Sequence, residues 1–164
     1  MAHLFVQGIA AMSERPVRLF LTGFADSLDS LRATVGGLPF ALQLFLALLT
    51  TDLFQYGLHR TFHAVPFLWR FHAVHHSTRS MDWLAGSRQH LVDVVGTRIF
   101  VYLPLFVLGF SPGVFYTYVG IVAIHAVLNH TNVRFRYGIL ERLIVSPRIH
   151  HWHHAHDPGT PAKQ

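Results

Sequence analysis

The stretch Phe40–His63, FALQLFLALLTTDLFQYGLHRTFH, joins an apolar run to a pair of histidines. The run has few polar positions, among them Asp52 and Gln55. As a helix, residues 39–57 would extend about 28 Å, which is close to the roughly 30 Å hydrocarbon core of a bilayer. The pattern therefore predicts a membrane-spanning helix over about 39–58, with the histidines just beyond its end.

The composition of the whole chain also favours a membrane protein. Of the 164 residues, 51% are hydrophobic and only 13% are charged, whereas a soluble domain carries about 25% charged residues. These values exclude a disordered chain, a coiled coil and a highly charged soluble binding protein. The net charge of +5 comes from arginines scattered among apolar stretches, not from a basic run. We therefore expect no nucleic-acid partner.

Two shorter apolar runs, Ile99–Phe110 and Val114–Leu128, are separated by Ser111-Pro112-Gly113. Because Ser, Pro and Gly together are typical of a turn, the runs predict a helical hairpin. We place its membrane helices at about 94–110 and 113–130. Each run is shorter than the about 20 residues of a clean crossing, so a half-inserted, re-entrant pair is the alternative.

The segment 1–38 precedes the first predicted membrane helix. Residues 17–32 carry an apolar face at helical spacing, formed by Phe20, Phe24, Leu28 and Leu31. This face predicts either an amphipathic helix at the membrane interface or a core helix of the soluble type. Residues 39–157 are predicted to form one domain, followed by a short flexible tail over 158–164.

This topology places nearly all the histidines on one side of the membrane. They lie between the first helix and the hairpin, at the hairpin's return and after it. The same segments carry Arg60, Arg70, Arg79, Arg88, Arg134, Arg136, Arg142, Arg148 and Lys163. The hairpin turn has no charge, so the positive-inside rule makes the histidine side cytoplasmic. We predict an all-α, integral membrane helical protein with a cytoplasmic-side, histidine-rich helical cap.

Three histidine motifs have spacings that suit metal binding. His59 and His63 are four residues apart, so a helix places them on one face. The pattern H-x-x-H-H occurs twice, as His72-Ala-Val-His75-His76 and as His150-His-Trp-His153-His154. Pro66 and Ser146-Pro147 precede these motifs at positions typical of helix starts. His151 lies about 100° off the face of its motif, so we leave it outside the site.

The number of histidines predicts more than one ion. Eight are too many for a single tetrahedral or octahedral ion, and imidazole suits iron, copper, zinc and nickel. Carboxylate-type di-iron sites use Glu-x-x-His motifs, but the only glutamates, Glu14 and Glu141, stand beside no motif, and there is no cysteine. Bis-histidine haem is the main competitor, although its ligands usually face each other from different helices. A nearly all-imidazole site with two metal ions is the natural interpretation.

Four segments together resemble one family. Asp52-Leu-Phe-Gln-Tyr-Gly-Leu-His59-Arg-Thr-Phe-His63 and Leu68-Trp-Arg-Phe-His72-Ala-Val-His75-His76-Ser77 come first. His130-Thr-Asn-Val-Arg134 and Ser146-Pro-Arg-Ile-His150-His-Trp-His153-His154 follow. Over residues 52–157 the chain resembles the fatty acid hydroxylase / sterol desaturase superfamily of histidine-box enzymes. Because that family usually continues beyond its last box, we expect a truncated tail at 158–164.

The resemblance implies a function and a ligand set. It implies a membrane-bound non-haem di-iron oxidoreductase of lipid biosynthesis that uses O2 to hydroxylate or desaturate a fatty acyl, sterol or related lipid in the bilayer. The implied metal ligands are His59, His63, His72, His75, His76, His130, His150, His153 and His154. His90, in a further family-like segment, and His125 are additional candidates. Asp52, Arg88, Asp93 and Asn132 are candidates to orient the ligands, although Asp52 could equally make a structural hydrogen bond.

Hydroxylation and desaturation with O2 each consume two electrons beyond those that the substrate supplies. The sequence has no cysteine for an iron–sulfur cluster and no G-x-G-x-x-G nucleotide motif. We therefore expect an external donor, namely a ferredoxin, a rubredoxin or a cytochrome b5-type protein with its reductase. An acidic carrier or anionic lipid could be attracted by Arg70, Arg79, Arg136, Arg142 and Arg148.

Iron is the expected native metal, and zinc can replace it on purification. The alternative function is that of a catalytically inactive or truncated relative that acts as a membrane metal-binding protein.

Overall fold

The structure is a computed structural model that describes Leu19 and residues 22–155. This part of the chain is helical and contains no strand, which confirms the expected all-α class. Its helices are α1 (22–36), α2 (Phe40–Ala64), α3 (Pro66–His76), α4 (Leu91–Thr97), α5 (Leu103–Val107), α6 (Pro112–His130) and α7 (Pro147–His154). A π-helical segment, Arg98–Tyr102, joins α4 to α5, and 3-10 turns lie at Ala85–Ser87 and Gly138–Arg142. The predicted tail, 158–164, and nearly all of residues 1–21 lie outside the described residues.

Helix α1 lies on the surface of the described chain. Of the side chains of 22–36 only Leu28 and Val35 are even half-buried within the described residues. The turn after α5 packs against it through Gly109, whose φ of +82° is in the left-handed region. A Cβ at this position would lie 2.7 Å from the Cα of Arg32, so only glycine permits the approach.

Helices α2 and α6 are each long and apolar enough to cross a membrane. Helix α2 continues past the predicted end near residue 58 and stops at Ala64. Val65 is extended there, as expected of a residue that precedes proline. Many apolar side chains of α2 and α6 face outward, among them Phe45, Leu53 and Ile124. Both helices are therefore candidate membrane spans with surfaces suited to lipid.

Between them, α4, the π-helical segment and α5 form one continuous helical stretch over 91–107. It begins earlier than the predicted position near 94, because the Nδ1 of His90 accepts the backbone N–H of Val92 at 3.1 Å and caps α4. The Ser111 hydroxyl caps α6 in the same way by accepting the N–H of Val114 at 3.4 Å. The predicted turn residues Ser111-Pro112-Gly113 therefore form the start of α6, and the chain turns just before them, at 108–111.

The core joins α2, α5 and α6 through Ala47, Leu105, Val114 and Tyr118. At the end away from the histidines, the buried side chain of Gln43 donates to the carbonyls of Gly36 and Leu38 at 3.1 and 2.8 Å. Its Oε1 accepts the N–H of Ser111 at 3.0 Å. Gln43 thus ties the α1–α2 linker to the start of α6, and the opposite end of the bundle is left to the histidines.

Candidate metal centre

Two groups of histidines form at the end of the bundle where α2 and α6 terminate. Group one consists of His59, His63, His72, His76 and His153, and group two of His75, His130, His150 and His154. Within each group, one ring nitrogen per residue lies within 4.8 Å of all the others. The two groups together contain the nine histidines that the sequence analysis named as metal ligands.

Each H-x-x-H-H motif is divided between the groups. His72 and His76 join group one while His75 joins group two; His150 and His154 join group two while His153 joins group one. On a helix, the first and last histidines of the motif are four residues apart and differ in direction by only about 40°. The middle histidine lies about 60° from the first and about 100° from the last. Helices α3 and α7 therefore each serve both groups. The groups are adjacent, because the rings of His76 and His154 stack with centroids 4.3 Å apart.

The distances between ring nitrogens fit shared ions. In group two, the Nε2 of His150 lies 2.9 Å from that of His130 and 3.1 Å from that of His154. In group one, the Nε2 atoms of His59 and His153 are 2.8 Å apart. Nitrogens that are each about 2.1 Å from one ion lie roughly 3.0–3.4 Å from each other. An ion in each group would therefore require only small side-chain adjustments.

Three ring nitrogens of group one are buried without a protein partner. The Nε2 atoms of His63, His72 and His76 make no hydrogen bond with any described residue. A buried polar atom without a partner costs about 1–3 kcal/mol, and a bound cation removes that cost. The donor set of neutral imidazoles suits iron, copper, zinc or nickel, so the residues present fit a two-metal centre.

Three histidines of the two groups are oriented by contacts behind the ring. The Nδ1–H of His72 donates to the Oδ2 of Asp93 at 2.7 Å, and that of His75 to the backbone carbonyl of Arg88 at 3.3 Å. The Nδ1–H of His130 donates to the carbonyl of Ala126 at 2.7 Å. Because carboxylates and carbonyls only accept, Nδ1 carries the proton in each ring and Nε2 offers its lone pair to the group.

Burial favours the neutral form of five histidines on α3 and α7. It lowers the pKa of His75 and of His153 to about 4 and the pKa of His154 to about 2, and neighbouring imidazoles add to the shift. The pKa values of His76 and His150 are also lowered, again mainly by burial. Since a metal binds only the neutral imidazole, these five histidines are in the form that can bind metal at neutral pH.

Other predicted residues lie elsewhere in the structure. His90 is in neither group, since it caps α4 and packs against Phe71 with ring centroids 4.8 Å apart. His125, also in neither group, uses its Nε2 to donate to the carbonyl of Val145 at 2.9 Å. It lies five residues before His130, on another face of α6. Asp52 and Asn132 are exposed, and neither hydrogen-bonds to a group within the described residues.

Two residues that support the centre were not found from the sequence. Gly86 packs so closely that a Cβ there would lie 2.9 Å from the Nδ1 of His130. Glu141 accepts from the Ser146 hydroxyl at 2.8 Å and pairs with Arg148 at 2.9 Å, so it holds the start of α7. These contacts lower the pKa of Glu141. In the sequence, the only sign of the ion pair between Glu141 and Arg148 is their separation by seven residues, which is about two helical turns.

Comparisons with known proteins indicate the family of this chain. The fatty acid hydroxylase family profile matches residues 44–161. An ornithine lipid hydroxylase from Rhizobium tropici is 35% identical over 117 residues, which cover 71% of this chain and 35% of the relative. A fatty acid hydroxylase from Lecanicillium sp is 36% identical over 57% of this chain and 27% of its own. An alkylglycerol monooxygenase from Danio rerio is 32% identical over 70% of this chain and 25% of its own.

The chain thus spans about a third or less of the length of these relatives. No solved structure matches it significantly. The matched residues 44–161 include both histidine groups, and the family is the one that the motifs led us to expect. The chain belongs to the fatty acid hydroxylase family.

Proposed function

We propose that this chain forms the metal-binding part of a membrane-bound, O2-dependent lipid hydroxylase with one iron ion in each histidine group. The observation that carries the proposal is the arrangement of nine histidines in two adjacent groups. The relatives are by name hydroxylases or monooxygenases of lipids, which favours hydroxylation over desaturation. Zinc has no redox chemistry, so a monooxygenase reaction favours iron as the working metal.

The bound metals would supply the reduction of O2 and the oxidation of a C–H bond, which side chains cannot perform. The residues of this chain would hold the ions and orient the imidazole rings. Neutral imidazoles provide the ligands, and Asp93 and the carbonyls behind His75 and His130 fix the rings. The outward apolar faces of α2 and α6 provide a surface for a lipid tail. We infer that the substrate reaches the groups from the bilayer.

The overall reaction needs an electron donor. Insertion of one oxygen atom of O2 into a C–H bond, with the other leaving as water, consumes two electrons and two protons. We propose that a ferredoxin, a rubredoxin or a cytochrome b5-type protein delivers them at the histidine end. Arg70, Arg136 and Arg142 are exposed there and could attract an acidic carrier. Arg148 is a weaker candidate because it pairs with Glu141.

Metal analysis and product analysis of the full-length protein in membranes test the function. We expect about two iron ions per chain, and 18O from labelled O2 in a hydroxylated lipid when the carrier, its reductase and reduced nicotinamide are present. His153→Ala should remove the ion of group one and His75→Ala that of group two, each with loss of product. His125→Ala is the matched control, because that residue lies outside both groups.

Other outcomes would contradict the proposal. Two bound metals without any oxidised lipid would favour the alternative, a membrane metal-binding protein without activity. A reproducible single metal or haem absorbance would contradict the two-ion centre itself.

We also propose that the histidine end faces the cytoplasm, for the charge reasons given above. Single cysteines at Ser77 and Pro112 of this cysteine-free sequence would be labelled from opposite sides of the membrane. Cytoplasmic accessibility is expected at Ser77. Labelling of both positions from the same side would rule out the arrangement.

A further inference from the structure

A surface cavity of about 440 Å3 lies in the loop between α3 and α4. We call it the arginine pocket. Its polar lining consists of Ser77, Thr78, Arg79, Ser80, Asp82 and Arg88. Its volume falls within the roughly 300–1,000 Å3 range of small-molecule sites. The pocket is thus large enough for a polar headgroup and carries the chemistry to bind one.

The pocket has a surplus of positive charge. Neither Arg79 nor Arg88 takes part in any of the ion pairs within the described residues. The one acidic side chain, Asp82, is already engaged: its Oδ1 accepts the backbone N–H groups of Leu84 and Ala85 at 2.9 and 3.0 Å. The two guanidinium groups therefore remain available to an anion.

One 3-10 turn separates the pocket from group two. The carbonyl of Arg88, just after this turn, accepts the Nδ1–H of His75 at 3.3 Å, and Gly86 within the turn packs on His130. Ser77, another lining residue, directly follows His76. The pocket therefore adjoins the metal centre but uses none of its ligands.

The position also suits a lipid. Helix α4 begins at Leu91, three residues after Arg88, and continues into the π-helical segment and α5, which both contact the candidate membrane span α2. If α2 and α6 cross the bilayer, the pocket lies beyond their histidine ends, where headgroups are found. A headgroup held here would fix which carbon of the attached chain reaches the metals.

We propose that the arginine pocket binds the anionic headgroup of the lipid substrate through its phosphate or carboxylate. Guanidinium groups match both anions, because their N–H groups form paired, charge-assisted hydrogen bonds with two oxygens. The inference rests on the proposed function and narrows its substrate to lipids with an anionic group near the oxidised chain.

The test measures binding without turnover. Full-length, metal-loaded protein in dodecyl maltoside micelles is titrated with dioleoyl phosphatidic acid, with dioleoylglycerol and with inorganic phosphate, and tryptophan fluorescence is followed. Trp83 is 60% exposed and follows a pocket residue, so it can report binding. We expect phosphatidic acid to bind clearly more tightly than dioleoylglycerol or inorganic phosphate.

Variants of the pocket locate the site. Arg79→Gln with Arg88→Gln should weaken the binding of phosphatidic acid roughly tenfold or more, as expected for loss of charge-assisted bonds. The same charge change at Arg32 and Arg134, exposed arginines outside the pocket, should leave it unchanged. Metal content reports whether the double variant is folded. If it is not folded, binding is measured with Arg79→Gln alone. This single variant should fold, because the Arg79 side chain makes no hydrogen bond within the described residues.

Three results would overturn the inference. One is unchanged binding of phosphatidic acid by the folded variants, and another is inorganic phosphate binding as tightly as the lipid, which would indicate a site for a free anion. The third is equally tight binding of phosphatidic acid and dioleoylglycerol, which would show that the anionic headgroup is not recognised. Because binding is measured without reductant, an inactive protein would contradict the proposed function but leave this measurement valid.

Discussion

The carboxylate of Asp93 on α4 lies 2.7 Å from the Nδ1 of His72 on α3, and both side chains are buried, with 6% and 4% exposure. The contact joins residues that are 21 positions apart. It fixes which nitrogen of His72 faces group one, because the proton on Nδ1 is held by the carboxylate. It also ties α3, which carries three of the grouped histidines, to α4, the first part of the helical stretch over 91–107.

Asp93→Asn is expected to weaken metal binding in group one. The amide removes the negative charge behind His72, and loss of such a contact typically costs about 10-fold to 100-fold in metal affinity. Competition with a chelator of known affinity measures the loss for each ion. Asp29→Asn is the control, since Asp29 is an exposed partner of Arg32 on α1. Equal weakening of both ions, or of neither, would contradict this role of Asp93.

Gly86→Ala is expected to disturb group two. The added methyl carbon would meet the Nδ1 of His130 at 2.9 Å, so the ring must shift from its hydrogen bond with the carbonyl of Ala126. We expect loss of about one of the two metal ions, seen by elemental analysis. Gly120→Ala on α6 is the control, because a Cβ there meets nothing within 4 Å. Normal metal content in Gly86→Ala would contradict this prediction, because it would mean that the 3-10 turn moves enough to accommodate the methyl group.

The metal-free protein is expected to lose stability in mild acid. Folding lowers the pKa of His75 and His153 from 6.5 to about 4, so between these values the unfolded chain binds more protons than the folded one. Their stabilising contribution is complete above pH 6.5 and is lost as the pH falls toward 4. Each ring changes the free energy of unfolding by up to about 1.4 kcal/mol per pH unit.

Thermal unfolding in detergent, followed by circular dichroism after chelation, measures this dependence. Saturating metal should move the loss of stability to lower pH, because the ion competes with protons for the same nitrogens. A flat profile between pH 6.5 and 4 would contradict the burial of neutral rings.

Gln43→Leu is expected to destabilise the end of the bundle opposite the histidines. It leaves the N–H of Ser111 and the carbonyls of Gly36 and Leu38 without their partner. A loss of about 1–3 kcal/mol is typical for one unsatisfied buried group, and the thermal midpoint should fall. Gln55→Leu, at an exposed position of the same helix, should have little effect. An unchanged midpoint in Gln43→Leu would mean that water replaces the side chain.

The helices and the ligand types could be predicted from the sequence. Apolar runs and the turn at Ser111-Pro112-Gly113 locate α2 and α6, and residues four apart on a helix must share a face. The division of each H-x-x-H-H motif between two groups could not be predicted. It depends on how α3 and α7 are rotated about their axes, and packing against other helices determines that rotation.

The groups that accept the Nδ1–H of the histidine rings were harder to predict for a different reason. Ala126 and Arg88 act through backbone carbonyls, which every residue type offers, so no pattern marks them. Asp93 could be predicted because its carboxylate is chemically distinctive. His90 illustrates the opposite case, since an imidazole can cap a helix as well as bind a metal, and only the position of α4 decides between the two.

Helix α7 has a consequence for the order in which the centre is assembled. It supplies His153 to group one and His150 and His154 to group two, and His153 meets a partner 94 residues earlier in the chain. During translation, the first four helices can form before these residues leave the ribosome, but neither group is then complete. In the proposed two-ion centre, neither set of ligands is whole until α7 docks, so the completion of metal loading would be a late step in the biogenesis of this protein.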